Sequence, residues 1–189
     1  IHINSRVVRT ASVIGKPYFY MTDIPDRTWR TELCPGPTGA ASYLLPELGR
    51  LTDAAKERGP SECLLAASMC YGVPLWAGSC HREVVEEVWA AQIAFGMKGV
   101  TFVPFWEQTE FTVSDPEVRV SSWCKPGRRL LVLANFTDRE RAVQVTAKCA
   151  TAVIKGAWKA EGLTVEGATA NVTVPAYGGV LLSVEGWEE

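Results

Sequence analysis

The chain has 189 residues, a formal net charge of −2 and an isoelectric point of about 5.8, and 47% of its residues are apolar. That apolar share supports a packed core and excludes a disordered chain. The absence of a basic stripe argues against nucleic acid as a partner, and the apolar runs are far shorter than a membrane span.

The six cysteines are Cys34, Cys63, Cys70, Cys80, Cys124 and Cys149, with no CxxC spacing, and the two histidines are His2 and His81. This material does not make a zinc site, and neither a metal nor another cofactor is expected. The cysteines are expected to be free thiols that pack as small apolar groups, although an even number also admits disulfides. Asn135-Phe-Thr and Asn171-Val-Thr match the glycosylation sequon, which matters only in a secreted chain. The sequence begins at Ile1 and contains no signal peptide, so it reads as a processed or partial chain whose location is left open.

In chain order, the loose alternation over residues 1–8 predicts a strand. Residues 18–21 predict another, ending in the turn-rich TDIPD segment that holds Asp23 and Asp26. Residues 28–38 contain Cys34-Pro35-Gly36-Pro37 and predict a loop. From 39 to 58 apolar residues recur at helical spacing, with Pro46 marking a kink or a start and Gly59-Pro60 the end. Ser61 then caps a second helix.

Residues 73–107, VPLWAGSCHREVVEEVWAAQIAFGMKGVTFVPFWE, organise the chain. Two apolar runs without alternation, 73–76 and 100–106, flank a helical stripe of Val84, Val85, Val88, Ala91, Gln92 and Phe95. Ser79 can cap that helix, and Gly96 and Gly99 can end it. Strand, helix and strand predict a right-handed βαβ unit in a parallel sheet. Ligands bind such units at the carboxyl ends of the strands, where Trp76, Trp106 and Glu107 would stand.

After Glu107 the helical spacing stops. Short β-rich runs at 117–124, 129–135, 142–149, 152–158, 163–166, 170–174 and 179–184 are separated by turn residues such as Lys125-Pro126-Gly127. This spacing predicts an antiparallel sandwich, with Val118, Val120, Leu131, Leu133, Val143, Val145, Val172, Val174, Leu181 and Val184 mainly inward. The expected fold is thus α/β followed by all-β, with an α/β segment over 1–108 and a sandwich domain over 109–189.

This order resembles the carboxyl-terminal part of a glycoside hydrolase of the barrel-plus-sandwich, family 123-like type. The segments that carry the likeness are HREVVEEVWAAQIAFG, GVTFVPFWE, the hairpin KPGRRLLVLANFTDRE and the closing strand VPAYGGVLLSVEG. The likeness implies the last part of a (β/α)8 barrel followed by a sandwich, and a carbohydrate partner. It lies in texture rather than a catalytic motif, and no catalytic pair is carried over from it. A complete barrel takes about 250 residues, whereas 1–108 can supply three or four strands. A missing amino-terminal segment, a partner chain or a homo-oligomer is therefore expected to complete the fold.

Glycoside hydrolysis needs two carboxyl groups across the scissile bond. Glu107 is the first candidate, with Asp23 and Asp26 as possible counterparts; an ordinary loop carboxylate is the competing reading for each. Trp76 and Trp106 suit stacking on the apolar faces of sugars, or closure of the core end. Arg82 could hydrogen-bond a sugar, or be a solvated first-turn residue. The competing functional class is a non-catalytic module that binds glycan or braces a larger assembly.

Overall fold

The computed structural model describes residues 4–6, 18–34, 42–44, 46, 48 and 57–188. A helical layer, a five-stranded sheet and a four-stranded sheet are stacked in that order. The helical layer contains β1 (Asn4–Arg6), α1 (Phe19–Thr22), α2 (Asp26–Thr28) running into a π-turn at Trp29–Leu33, β2 (Ser42–Leu44), α3 (Arg58–Cys70) and α4 (Arg82–Phe95). β1 pairs with β2 in parallel, and Leu44 makes a parallel bridge to Leu75. Three successive extended segments therefore run the same way, the second and third joined through α3.

The antiparallel part holds β3 (Thr101–Val103), β4 (Phe111–Val113), β5 (Val118–Lys125), β6 (Gly127–Asn135), β7 (Arg141–Ala147), β8 (Val153–Trp158), β9 (Thr164–Glu166), β10 (Thr169–Val174) and β11 (Gly178–Trp187). The larger sheet has the order β3-β5-β6-β11-β8 and the smaller β4-β7-β10-β9. Alternation sets the smaller sheet: Val143, Val145 and Ala147 of β7 and Ala170, Val172 and Val174 of β10 all point into the space between the sheets. The central strand β6 instead reads as a continuous apolar run because both its faces are covered. Leu131 and Leu133 meet the small sheet, while Leu130, Val132 and Ala134 meet the helices. Each of these fully buried leucine and valine side chains contributes about 1.5–3 kcal/mol relative to exposure.

α3 lies between the layers, and from Cys63 to Cys70 all its side chains are buried. Its approach to β11 is close: a Cβ at Gly179 would lie 2.7 Å from the Ala66 Cβ and 2.8 Å from the Leu133 carbonyl oxygen. Ser121 on β5 donates to the Cys70 carbonyl at 2.6 Å. α4 is tied at both ends. Its Glu87 accepts from Arg58 at 2.7 Å and from the Trp158 indole at 3.0 Å. At its carboxyl end Lys125 donates to the carbonyls of Phe95 and Gly96, which satisfies groups that the helix leaves open.

Several expectations need correction. Residues 73–76 form no full strand; they contribute the single bridge at Leu75. Residues 101–103 pair antiparallel with β5 at the edge of the larger sheet, with Phe102 against Trp123, and not with a parallel neighbour. The continuous apolar run at 100–106 did not specify its partner. Residues 18–21, expected as a strand, are instead a turn at Tyr18 leading into the helix Phe19–Thr22, held by the Trp29 indole, which donates to the Tyr20 carbonyl at 3.2 Å. Residues 42–44, expected within a helix, form β2; 45, 47 and 49–56 lie outside the described residues. Gly59-Pro60 stands in the first turn of α3, where a missing N–H costs no hydrogen bond, so it opens that helix instead of ending another. Ser61 accepts from the His81 N–H at 2.7 Å rather than capping. Ser79 donates to the Pro46 carbonyl, and α4 starts without a side-chain cap. Leu181 is buried on the helical side, with Val180 and Leu182 facing the small sheet instead.

The six cysteines are free, with Cys63 and Cys70 buried on α3. Burial pushes both thiols up, that of Cys70 to about 12. Asn135 is buried, and its side-chain amide donates to the carbonyls of Arg139, Val174 and Pro175, leaving no room for a glycan. Asn171 is exposed on β10.

Candidate functional site

The candidate residues fall in two places. The first is the carboxyl side of the parallel segments. Leu44 donates to the Pro74 carbonyl and the Trp76 N–H donates to the Leu44 carbonyl, each at 2.9 Å. The chain leaves this bridge at Trp76, turns through Ala77–Ser79 and enters α4 at Arg82. The Ser79–Pro46 hydrogen bond joins the stretch after β2 to this turn. Trp76 and Arg82 therefore share one rim. They line a groove of about 600 Å³ together with Leu75, Cys80, Val85 and Trp89. A Cβ at Gly78 would lie 2.9 Å from the Trp76 Nε1, so the glycine lets the indole rest against the turn. Trp76 is 68% exposed, so most of its surface remains open to a ligand. Arg82 pairs with Glu86 one turn on, at 2.6 Å, and stays exposed.

The second place gathers on Tyr71, on the amino-terminal approach to the Leu75 segment. Asp26 accepts from the Tyr71 hydroxyl at 2.6 Å and pairs with Arg119 at 3.3 Å and Arg30 at 3.6 Å. The Arg119 guanidinium lies over the rings of Phe136 at 4.1 Å and Phe105 at 4.8 Å, and Arg30 lies over Trp106 at 4.5 Å. Tyr71 stacks on Trp29 with ring centroids 4.9 Å apart. Burial, then the bond to Asp26, raises the Tyr71 phenol well above its ordinary range. Glu107 is exposed at the margin of this cluster and accepts from the Trp106 indole at 3.2 Å. After burial, its charge is the second cause that raises the Cys34 thiol. Asp23 is exposed in the turn after α1.

Asp26, Trp106 and Glu107 thus belong together, Trp76 and Arg82 belong together, and the two tryptophans serve different surfaces. Asp26, which meets two guanidinium groups and a hydroxyl, ties the 18–34 segment to β5. Glu107 follows an antiparallel edge strand, so the parallel-strand argument that singled it out does not apply. Sequence reasoning missed Trp89, whose signal was a large apolar residue among Glu83, Glu86 and Glu87, and Arg119, a charge set between the inward-facing Val118 and Val120. Among the described residues no group of His, Cys, Asp and Glu could hold a metal ion, and no helix is long and apolar enough to cross a membrane.

Comparison with solved structures gives likeness of fold at low identity. A maltogenic alpha-amylase from Thermotoga neapolitana matches with a TM-score of 0.53 and 14% identity, over 89% of this chain and 48% of that one. An alpha-amylase from Geobacillus thermoleovorans matches with 0.50 and 8%, over 89% and 42%. A GH30 endoxylanase from Clostridium papyrosolvens C71 gives 0.46 and 13%, over 79% and 42%. The chain spans less than half the length of each of these proteins. No curated protein matches it. The model of the family described as glycoside hydrolase 123, C-terminal domain, matches residues 84–185, from the first turn of α4 through most of β11 and over more than half of the sequence. With that match across helix and sandwich together, the chain belongs to the glycoside hydrolase 123 C-terminal domain family.

Proposed function

We propose that this chain is the carboxyl-terminal portion of a carbohydrate-active protein of glycoside-hydrolase type. In this reading the helical layer, within residues 1–108, is the closing part of a (β/α) barrel, and the sandwich, within 109–189, braces it. Further polypeptide completes the cleft. The observation that carries the reading is Trp76, exposed beside Arg82 at the carboxyl end of three parallel segments, the side on which barrels bind their ligands. An indole face stacks on the C–H face of a sugar, and a guanidinium hydrogen-bonds its hydroxyls. Affinity electrophoresis through a panel of soluble polysaccharides tests it. Retardation by at least one glycan, reduced at least tenfold in affinity by Trp76→Ala, is the expected result; equal migration of both proteins in every gel overturns it.

A catalytic reading has one observation in its favour, the exposed carboxylate of Glu107 beside the Trp106 indole. Glu107 would then act with Asp23 or Asp26 as the carboxyl pair. Aryl-glycoside turnover by the chain, lost in Glu107→Gln, is its test. Glycan binding without turnover assigns the chain to a non-catalytic module.

A further inference from the structure

We infer that the outer face of the four-stranded sheet is a second carbohydrate site, a shallow trough that takes an extended, uncharged glycan chain. The inference takes its class of ligand from the glycan reading above and rests on it in that respect. Its residues are different ones, and both sheets separate them from the helical layer.

Strand register builds the trough. Alternation turns Val143, Val145, Ala170 and Val172 inward, so Gln144, Thr146, Thr169 and Asn171 face outward. Asn171 stands opposite Gln144 of β7 on one side and opposite Thr164 of β9 on the other. Ser114, just past β4, donates its N–H to the Gln144 carbonyl at 3.0 Å, and its hydroxyl accepts from the Gln144 N–H at 2.9 Å. Ser114, Gln144, Asn171 and Thr164 therefore make one row across the whole sheet. Thr112, Thr146, Thr169 and Glu166 make the next. With strands about 4.8 Å apart, a row is about 14 Å long. A cavity of about 360 Å³ follows the first row, and its lining includes Ser114, Gln144, Gly162, Asn171 and Thr173.

The chemistry of the row selects the ligand. A side-chain amide offers donors and an acceptor together, and a hydroxyl can serve as either, which matches the hydroxyls of a sugar. The Gln144 amide donates to Asn171 at 3.4 Å, and the Asn171 amide donates to Thr164 at 3.5 Å. These bonds orient the side chains, yet they are at the long limit, so ligand hydroxyls can replace them. No residue that lines the cavity is charged or aromatic. Nucleic acid would need cations here, and a protein partner would need aromatic or arginine anchors. An extended glycan repeats its rings at a spacing close to that of the strands, so successive rings can each meet one side chain of the row.

Affinity electrophoresis of the wild type, Trp76→Ala, Q144A/N171A and the triple variant tests the inference. The gels contain a soluble β-glucan, a galactan, a mannan or a carboxymethylated β-glucan. With at least one neutral polysaccharide, Q144A/N171A should lower affinity at least fivefold, in the Trp76→Ala background as well. The loss should be the same at low and high salt, because no charge takes part. The melting temperature should not change, since both side chains are exposed. Equal migration of Trp76→Ala and the triple variant in every gel overturns the inference and leaves the Trp76 groove to stand or fall by its own variant. Binding lost in Q144A/N171A but not in Trp76→Ala supports the trough and removes the groove. Preference for the carboxymethylated glucan overturns the trough. So does mass-spectrometric detection of a glycan already attached to Asn171, which opens the Asn171-Val-Thr sequon.

Discussion

Between the two sheets, apolar residues meet apolar residues from both sides: Val143, Val145 and Val172 of the small sheet face Leu131, Leu133 and Leu182 of the large one. In the helical layer α3 is covered in the same way, but α4 is covered on one stripe and leaves Trp89 and Ile93 in solvent. The same apolar periodicity runs through both regions. The difference is that both surfaces of the sandwich contact lie among the described residues, whereas those residues leave one stripe of α4 uncovered.

The largest effect should come from the closed region. Val145→Asp places an unpaired carboxylate between the sheets and should cost about 4 kcal/mol or more, enough to unfold the chain in a thermal melt monitored by circular dichroism. An unchanged melting temperature would show that the two sheets do not form one closed core. Next is the contact that joins the regions. Gly179→Val forces a side chain into Ala66 and should cost about 1–3 kcal/mol in denaturant unfolding, with partial recovery when Ala66→Gly is added. Additivity of the two changes would mean that the helix and β11 are not in register as described.

The Arg119–Asp26 pair is partly exposed, and Arg119→Met should cost only about 1 kcal/mol. Its better readout is local, as faster proteolysis within residues 18–34 while the sandwich stays protected. The smallest effect is a pH dependence. The Arg58 hydrogen bond, then that of the Trp158 indole, holds the Glu87 carboxyl below the usual range. A depressed carboxyl contributes stability above its unfolded pKa and loses it as pH falls through the folded value. The melting temperature advantage of the wild type over Glu87→Gln should therefore be full at neutral pH and shrink progressively as pH falls below the ordinary glutamate value of about 4.3. A constant advantage would mean that Glu87 does not link α4 to β8.

Seven strands of the sandwich, β5 to β11, were legible with ends within three residues because their signals are local, whereas β3 and β4 were not read as part of it. Alternation in β7 and the Pro126-Gly127 turn, with Gly127 at φ +74°, need no knowledge of distant residues. What failed depended on partners far along the chain. Residues 18–21 have strand composition, but Tyr18 stacks on Tyr177 and the Tyr20 carbonyl is taken by Trp29, so tertiary contacts overrode propensity. β11 reads as unbroken apolar residues, so its inward set was assigned one residue out of phase at Leu181. The site divides along the same line. Trp76 and Arg82 were each legible as candidates, but the sequence set Trp76 beside Trp106, and only the fold shows that one short turn brings it to Arg82. The grouping of Asp26 with Arg119 was not, because nothing in either local sequence points to the other.

The distribution of thiols makes the boundary between the layers a clock. Cys63 and Cys70 lie where α3 meets the larger sheet, and burial keeps them protonated and out of reach of reagents. Cys149 lies at the rim of the sandwich, where hydrogen bonds from Thr151 and the backbone lower its thiol below the ordinary value. A pulse of thiol label should therefore mark Cys149 at once and the α3 pair only when helix and sheet part. The ratio of those rates gives the free energy of that separation, distinct from global unfolding, and any polypeptide that completes the helical layer should slow the second rate while leaving the first alone.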